Sequence, residues 1–499
     1  MASSPNTLDA TRSDRSFFGH PRGLATLFFT EMWERFCFYG MRALLILFLT
    51  APVASGGLGF GVAKAGAIYG FYASMVYLLS LPGGWVADRV LGHRKAVLYG
   101  GIMIAAGELG LAGPGLASFY SGLVLMMCGT GLLKPNVSTI VGQLYHQGDT
   151  RRDAGFSIFY MGINVGALIA PLICGYVGER INWRLGFAIA GFAMVIGVVQ
   201  FLLGQKHLGE AGKCPAQVAD PEKDRRQKRI AAIAAALTLG VVAVLAILGF
   251  TGTVAIGPEW VSNAVGFVLL AISVGVFSWL LLGKGWTIEE RKRSGAILVL
   301  FLASALFWSM FEQAGSSLNL FADRSVYRHL FSFAFPASWF QFVQPFFVVT
   351  LAPVFAWIWS RMGSKEPPSP AKFSMGLLLG GLGFLVMVFA AKINATGALV
   401  SFWWLVLTYL FHTLGELCLS PVGLSAMTKL APARVGGFMM GMWFVSISVG
   451  DFLAGKAASV YESLPLPTLF GFVAAFGIGA AVLVALLVKP TVKLMSGIK

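Results

Sequence analysis

Long apolar runs alternate with short polar segments along the whole chain. Fourteen of these runs reach the length of a membrane-crossing helix, which needs about 20 apolar residues. They are predicted at 23–50, 65–87, 96–114, 117–142, 155–178, 183–204, 230–251, 260–283, 294–317, 340–361, 372–392, 399–420, 435–457 and 466–489. Segments with the polar–apolar alternation of a membrane β-barrel are absent from the sequence. The pattern predicts an all-α polytopic membrane protein with 14 transmembrane helices.

Composition and charge support this interpretation. Hydrophobic residues make up 57% of the chain and charged residues 12%, whereas roughly a quarter of the residues in soluble domains are charged. The net charge of +15 could suggest a nucleic-acid partner, but the basic residues lie in loops rather than on one domain face. The N-terminus, every second loop and the C-terminus hold 27 of the 37 Lys and Arg residues. This asymmetry predicts that both termini are cytoplasmic.

A charged stretch at 205–229 separates six predicted helices from the eight that follow. We therefore expect a cytoplasmic tail (1–22), an N-terminal six-helix bundle (23–204), a linker with two extra helices (205–293), a C-terminal six-helix bundle (294–489) and a second tail (490–499). The segment 318–339 is aromatic and amphipathic, so it either extends helices beyond the membrane or lies in the interface. The five cysteines show no metal-ligand spacing, so neither a metal site nor a disulfide framework is predicted.

The loop after the second helix reads GGWVADRVLGHRK from Gly83 to Lys95. Its Gly-x-x-x-Asp-Arg-x-x-Gly order resembles the cytoplasmic loop motif of the major facilitator superfamily. Asp88 and Arg89 are predicted to act in gating, paired across helix ends in one conformation and separated in another. Gly84 is expected to allow close helix approach. The simpler alternative is that any short cytoplasmic loop is basic.

Charged residues inside the membrane are costly, so each is a candidate functional residue. The predicted set is Glu31, Glu34, Arg35, Arg42, Lys134, Glu312, Glu416 and Asp451. Glu108 is expected near an extracellular helix end, where solvent can reach it. At about 100° per residue, the charged residues of the first helix share one stripe about 100° wide. Two carboxylates beside an arginine suit proton transfer, although a static charge network is the alternative.

The charges also differ between the two halves of the chain. Arg35, Arg42 and Lys134 make the N-terminal half cationic, and Glu312 and Glu416 make the C-terminal half anionic. A cavity between the halves would carry a dipole and would fit a zwitterion. The surrounding aromatic residues could form tolerant side-chain pockets: Tyr39, Tyr77, Trp308, Trp443 and Phe444. His412 is interpreted as a hydrogen-bonded packing histidine, and Asp451 as structural.

Several motifs together resemble the proton-dependent oligopeptide transporters over essentially the whole chain. The most specific is ExxERFxxYG, which begins at Glu31. Others are FSIFYMGINVG at 156–166, the Lys134–Pro135–Asn136 triplet, the Glu312–Gln313 pair and ELCLSPVG at 416–423. The resemblance implies a major facilitator fold of two six-helix bundles with two extra helices. It also implies proton-coupled import of di- and tripeptides across the cytoplasmic (inner) membrane by alternating access, with no cofactor other than the coupling proton.

The same resemblance assigns roles to individual residues. Proton coupling falls to Glu31, Glu34, Arg35, Lys134 and Glu312, with Lys134 and Glu312 forming a pair that rearranges. Arg35, Arg42 and Lys134 attract the peptide carboxylate, and Glu416 binds the amine. The pocket is lined by Tyr39, Tyr77, Asn164, Trp308, Glu312, Gln344, Trp443 and Phe444.

The chain departs from the family pattern at two pocket positions. Phe38 stands where the family often has a tyrosine, and Gln344 stands where it commonly has an asparagine before proline. The predicted second helix has no histidine, so proton coupling should depend on carboxylates.

Other functions remain as alternatives. A symporter for nitrate or another small metabolite needs no amine-binding carboxylate, so Glu416 disfavours it. A drug:proton antiporter would not need the dipolar charges. An enzyme is disfavoured because neither a nucleophile motif nor a phosphate loop is present. A receptor is disfavoured because no large soluble domain is predicted. We expect a monomer.

Overall fold

The computed structural model describes residues 14–146, 149–213, 222, 225, 229 and 257–497. Within them, 12 helical spans are long and apolar enough to cross a membrane. The first helix, Arg22–Thr50, is 29 residues long and adds another span of sufficient length. The all-α polytopic architecture is therefore confirmed. The predicted helix at 230–251 lies outside the described residues, so the count of 14 stays a prediction.

The helices are numbered in chain order. They are α1 (Arg22–Thr50), α2 (Val62–Leu78), α3 (Ser80–Val86), α4 (His93–Ala112), α5 (Gly115–Gln143), α6 (Arg152–Arg180), α7 (Trp183–Gly204) and α8 (Pro258–Leu282). The remainder are α9 (Ile288–Phe311), α10 (Ser317–Ser325), α11 (Val343–Met362), α12 (Ser369–Asn394), α13 (Trp403–Leu430), α14 (Gly436–Ser459) and α15 (Leu466–Leu494). A π-helical turn, Ala87–Leu91, extends α3. Short 3-10 helices span Val53–Ser55, Gln205–Leu208, Glu312–Gly315, Ala337–Phe342, Gly363–Lys365 and Ala433–Val435.

The amphipathic segment 318–339 contains most of α10 followed by short strands. The four strands are β1 (Val326–Tyr327), β2 (His329–Leu330), β3 (Phe333–Ala334) and β4 (Val400–Ser401). β1 pairs in parallel with β4, and β2 pairs with β3 in an antiparallel hairpin. The segment thus folds as a helix end and a small loop structure.

The chain forms two compact units. Unit 1 contains Met1–Met41, Leu79–Ala170 and Arg184–Val261. Unit 2 contains Arg42–Leu78, Pro171–Trp183 and Ser262–Lys499. Both units are assembled from separate stretches of sequence, whereas the predicted bundles 23–204 and 294–489 are continuous and stay predictions.

Within unit 1, a glycine contact brings α3 and α5 together. A Cβ atom on Gly83 would lie 2.0 Å from the backbone oxygen of Gly131, so no side chain fits there. A Cβ on Gly84 would meet only the Pro135 ring, at 3.8 Å. Close approach, which small residues allow between membrane helices, therefore depends on Gly83. The prediction that Gly84 provides it was wrong, because a Cβ there would make only ordinary van der Waals contact with Pro135 of α5.

Within unit 2, α2 packs on α14 through Gly70 and Gly455. A Cβ on Gly455 would lie 2.4 Å from the Cα of Gly70. The predicted extra helix at 260–283 corresponds to α8, which packs against α14, where a Cβ on Gly266 would lie 2.4 Å from the Phe452 ring. The ammonium of Lys456 donates to Asn263 Oδ1 at 2.5 Å. This part of the linker is therefore fixed to the helices of unit 2.

Candidate functional site

The charged cluster of α1 is buried in unit 1. Glu31, Glu34 and Arg35 are each at most 2% exposed. The Arg35 guanidinium binds Glu34 through two nitrogens, with 2.6 Å from Nη2 to Glu34 Oε1. Its Nε also lies 3.4 Å from Glu31 Oε1. Such two-pronged arginine–carboxylate pairs are among the strongest side-chain interactions, so Glu34 is held mainly by Arg35.

Glu31 is held less completely than Glu34. Its Oε2 atom is buried and has no hydrogen-bond partner among the residues that the structure describes. Lys134, which is half-buried on α5, lies near enough for its charge to act on Glu31. An open buried acceptor is costly unless it gains a proton or a donor. Glu31 is therefore the carboxylate of this cluster best suited to take up a proton.

A second charged cluster lies in unit 2, around Arg42. Arg42 Nη2 lies 2.8 Å from Glu312 Oε2, and both side chains are less than a tenth exposed. Arg42 Nε also donates to the hydroxyl of Tyr69 at 3.1 Å. The charge of Glu416 acts on this pair from α13. The predicted charged residues Arg42, Glu312 and Glu416 are thus brought together, whereas the predicted Lys134–Glu312 pair stays a prediction.

Glu312 occupies a break in the helix. The α-helix ends at Phe311, and a 3-10 turn covers Glu312–Gly315 before α10 begins. A Cβ on Gly315 would lie 2.0 Å from the Tyr69 hydroxyl and 2.8 Å from Arg42 Nε. Only glycine leaves room for these two groups. Broken helices are a common means of building binding sites inside membrane transporters.

Two further predicted residues in unit 2 carry unpartnered donors. Gln344 is 4% exposed and Trp308 is 7% exposed. Among the described residues, neither Gln344 Nε2 nor Trp308 Nε1 has a hydrogen-bond partner. Buried polar groups are normally satisfied, so these N–H groups are available to a ligand.

Two of the predicted aromatic residues of unit 2 are in contact with each other. Tyr77 stacks on Phe444 with 6.3 Å between ring centroids, and both are half-buried. Trp443 is 3% exposed and packs against Phe373. In unit 1, half-buried Tyr39 contacts the Phe38 ring edge-on at 5.2 Å.

Asn164 is the remaining predicted pocket residue in unit 1. It is 7% exposed, and its amide donates to the Tyr160 carbonyl at 3.0 Å. That bond is a local one within α6, so it does not by itself indicate a role in binding.

Side chains of the loop motif form a series of polar contacts in unit 1. Asp88 is exposed and lies 3.3 Å from His93 Nε2. The other ring nitrogen of His93 is 2.8 Å from Asn136 Oδ1, and Asn136 donates to the Leu132 carbonyl at 2.6 Å. The structure therefore links Asp88 to α5 through His93, and the predicted gating role of Asp88 and Arg89 stays a prediction.

Several contributors to these clusters were not predicted. Tyr69 and Gly315 complete the Arg42 cluster, and His93 completes the loop chain. A tyrosine in an apolar helix needs a partner for its hydroxyl, which was the available signal for Tyr69. No group of three or more His, Cys, Asp or Glu residues that could hold a metal ion occurs in the described part of the chain.

Glu108 corrects one expectation. It was predicted near an extracellular helix end with access to solvent, but it is 0% exposed in the structure. A Cβ on Gly191 of α7 would lie 3.2 Å from the Glu108 Cβ, so the two helices cover it closely. His412 is also fully buried, with its ring 5.3 Å from that of Phe384. This position agrees with the packing role of the interpretation, but neither ring nitrogen has a hydrogen-bond partner among the described residues, so the predicted hydrogen bond is not found.

Comparison with known proteins agrees with the motifs. The sequence profile described as "POT family" matches residues 94–469. The chain belongs to the POT family. It is 43% identical over 484 residues to the uncharacterized transporter YclF of Bacillus subtilis, covering 96% of each chain. It is 37% identical over 500 residues to a di-/tripeptide transporter of Lactococcus lactis subsp. cremoris, covering 98% of this chain and 99% of the relative.

A solved structure has nearly the same fold. The crystal structure of a peptide transporter POT in complex with sulfate superposes with a TM-score of 0.93 at 41% identity. The alignment covers 99% of this chain and 100% of the other. POT family members are transporters of the major facilitator type, so the predicted membership and fold class are confirmed.

Proposed function

We propose that this chain is a proton-coupled symporter that imports di- and tripeptides by alternating access. The observation that carries the proposal is the cluster of unit 2. It combines a cation (Arg42), two carboxylates (Glu312 and Glu416) and unpartnered donors on Gln344 and Trp308. A peptide presents a carboxylate, an amine and amide carbonyls, which are the complements of these groups.

In the proposed binding mode, Glu416 pairs with the peptide amine and Arg42 with its carboxylate. The N–H groups of Gln344 and Trp308 donate to the carbonyl oxygens of the peptide. These backbone contacts are shared by all short peptides. The Tyr77–Phe444 stack offers apolar surface to side chains of differing size, so we expect broad side-chain tolerance.

In the proposed coupling step, Glu31 takes up the proton. Neutral Glu31 no longer attracts Arg35, so the guanidinium is shared less between the two carboxylates. A peptide carboxylate arriving at Arg42 competes with Glu312 for the same cation. Each event weakens one buried ion pair, and ion pairs of this kind hold a conformation because breaking them is costly. Arg35 and Lys134 are predicted to act both in proton coupling and in binding the peptide carboxylate, and both roles are part of this proposal.

We further propose that the protein lies in the cytoplasmic (inner) membrane as a monomer, with both termini in the cytoplasm. The distribution of Lys and Arg supports this orientation. No cofactor is needed, since protons serve as the coupling ion.

The test is uptake of dialanine into proteoliposomes that carry an inward proton gradient. Wild type should accumulate dialanine. Glu34→Gln should lose gradient-driven uptake by about tenfold or more while retaining some peptide exchange, because Arg35 then pairs with Glu31 alone and holds it ionised. Glu289→Gln is the matched control, because Glu289 is exposed at the start of α9 and forms a surface salt bridge with Arg293. It should leave uptake unchanged. Flux of nitrate or a cationic drug without dialanine flux would overturn the proposal.

A further inference from the structure

A pocket of about 470 Å³ lies within unit 2, away from the Arg42 cluster. The ends of α1, α6 and α10 and the start of α7 form its walls. Its lining includes Ser55, Glu179, Arg180, Asp323, Arg324 and Arg328. None of these was among the predicted site residues. The volume falls within the range of pockets that hold small ligands, roughly 300–1,000 Å³.

The lining carries both signs of charge. Three arginines (Arg180, Arg324 and Arg328) face two carboxylates (Glu179 and Asp323), which leaves one positive charge in excess. Glu179 is already committed to the backbone, because it accepts from the N–H groups of Ala337 at 2.9 Å and Ser338 at 2.7 Å. Glu179 keeps its negative charge and also lies 3.5 Å from Arg328 Nη1, so Glu179 and Asp323 together balance Arg328 within the lining.

Two of the arginines keep donors for a ligand. Arg180 donates from Nη2 to the Ala334 carbonyl at 2.6 Å, and Arg324 donates from Nη1 to Glu462 at 2.7 Å. A guanidinium has five N–H donors, so each of these contacts uses a small part of the available set. Guanidinium groups bind carboxylates in a two-pronged geometry. This wall is suited to a carboxylate.

Asp323 supplies the opposite charge in the same pocket. Its side chain is 44% exposed, and it lies 3.2 Å from Arg328. An exposed carboxylate can exchange a cation partner at low cost, since surface ion pairs contribute little. An ammonium group can therefore bind Asp323 while a carboxylate at the other end of the same molecule binds Arg180 and Arg324.

We propose that this pocket is an outer binding site for small zwitterionic peptides, separate from the Arg42 cluster. The inference rests on the proposed function and on the proposed orientation, which puts the ends of α1 and α6 on the extracellular side. A pocket with complementary charge raises the local concentration of its ligand. Its role is to collect peptides at the extracellular surface before they enter the central site.

The test measures how fast a thiol reagent modifies Ser55→Cys in proteoliposomes, with and without dialanine. Ser55 lines the pocket and is exposed. The chain without this substitution gives the background from the native cysteines, of which Cys37, Cys174 and Cys418 are buried and Cys128 is half-buried. The same measurement in Ser55→Cys/Glu416→Gln removes the amine-binding group of the proposed central site. Dialanine should slow modification in both proteins.

Charge variants then identify the groups involved. Arg180→Gln together with Arg324→Gln should raise the dialanine concentration for half-protection about tenfold, as expected when a charge-assisted hydrogen bond is lost. Lys392→Gln is the matched control, because Lys392 is exposed at the end of α12 and does not line the pocket. It should leave protection unchanged.

The outcomes separate this proposal from the proposed function. Protection that persists with Glu416→Gln and is lost with the arginine variants supports an outer site. Protection that disappears with Glu416→Gln overturns it, because the signal then reports binding at the central site. Normal dialanine uptake by Ser55→Cys without any protection also overturns the outer site while leaving peptide transport intact. Absence of uptake in wild type contradicts the proposed function itself.

Discussion

Replacing Gly315 by alanine tests the packing at the helix break. The added Cβ would lie 2.0 Å from the Tyr69 hydroxyl, so the ring must move by more than an ångström to reach van der Waals contact. That movement breaks the 3.1 Å bond from Arg42 to Tyr69. Overpacking costs about 1–3 kcal/mol, and loss of a hydrogen bond to a charged group costs about 1.5–3 kcal/mol.

The expected result is a loss of roughly 2.5–6 kcal/mol in the free energy of unfolding, from those two costs together. Apparent melting of the detergent-solubilised protein should therefore fall by roughly 5 °C. The peptide concentration for half-maximal uptake should rise as well, because Arg42 is displaced. Thermal unfolding and dialanine uptake in proteoliposomes measure the two effects.

Gly295→Ala is the matched control. Gly295 also belongs to the helical segment that contains α9, but a Cβ there would meet only Leu494 Cδ1, at 3.6 Å. It should be neutral or slightly stabilising, since alanine favours helix more than glycine. Tyr69→Phe added to Gly315→Ala should restore part of the lost stability, because the closest clashing atom is removed. Equal melting of Gly315→Ala and Gly295→Ala would refute the reasoning.

Two further predictions use other features of unit 1. Gly83→Ala should impair folding and uptake, because its Cβ would lie 2.0 Å from the Gly131 backbone, whereas Gly84→Ala should be tolerated; expression and melting of the two variants decide. Burial lowers the pKa of His20. The positive charge of Arg151 lowers this pKa further, and the negative charge of Asp149 offsets part of the effect. The neutral imidazole, 2.9 Å from Tyr145, is therefore favoured by folding. That stability is complete above the ordinary pKa of about 6.5 and decreases as pH falls below it. The protection factor against hydrogen exchange at residues 17–22, which corrects for the slower intrinsic exchange at low pH, should fall between pH 6.5 and 5, and an unchanged protection factor would contradict the assignment.

The sequence was most informative where contacts are local. Glu31, Glu34 and Arg35 lie within one turn of α1, so helical periodicity alone puts them together. Arg42 and Glu312 could each be singled out as costly intramembrane charges. Their pairing could not be predicted from spacing, because the partners are far apart in sequence and the choice depends on how helices pack.

The burial of a residue, and the helix face on which it lies, were harder to predict than which residues are functional candidates. Gly83 and Gly84 are adjacent, and only a rotation of about 100° decides which one lies against the α5 backbone at Gly131. Glu108 lies near the end of a predicted helix, yet the close approach of α7 at Gly191 removes it from solvent. Such details depend on the tertiary arrangement, which a single helix pattern does not contain.

The net charge of the cluster around Arg35 makes the proposed transport cycle depend on the membrane voltage. Glu31 and Glu34 balance the charges of Arg35 and Lys134, so a proton on Glu31 leaves one positive charge in excess inside the membrane. Moving one elementary charge through a potential of 100 mV is worth about 2.3 kcal/mol. When the cell interior is negative, the membrane potential therefore favours the step that carries this charge inward, even without a pH difference. In the proposed cycle, peptide import generates an electrical current, and depolarisation alone should slow it.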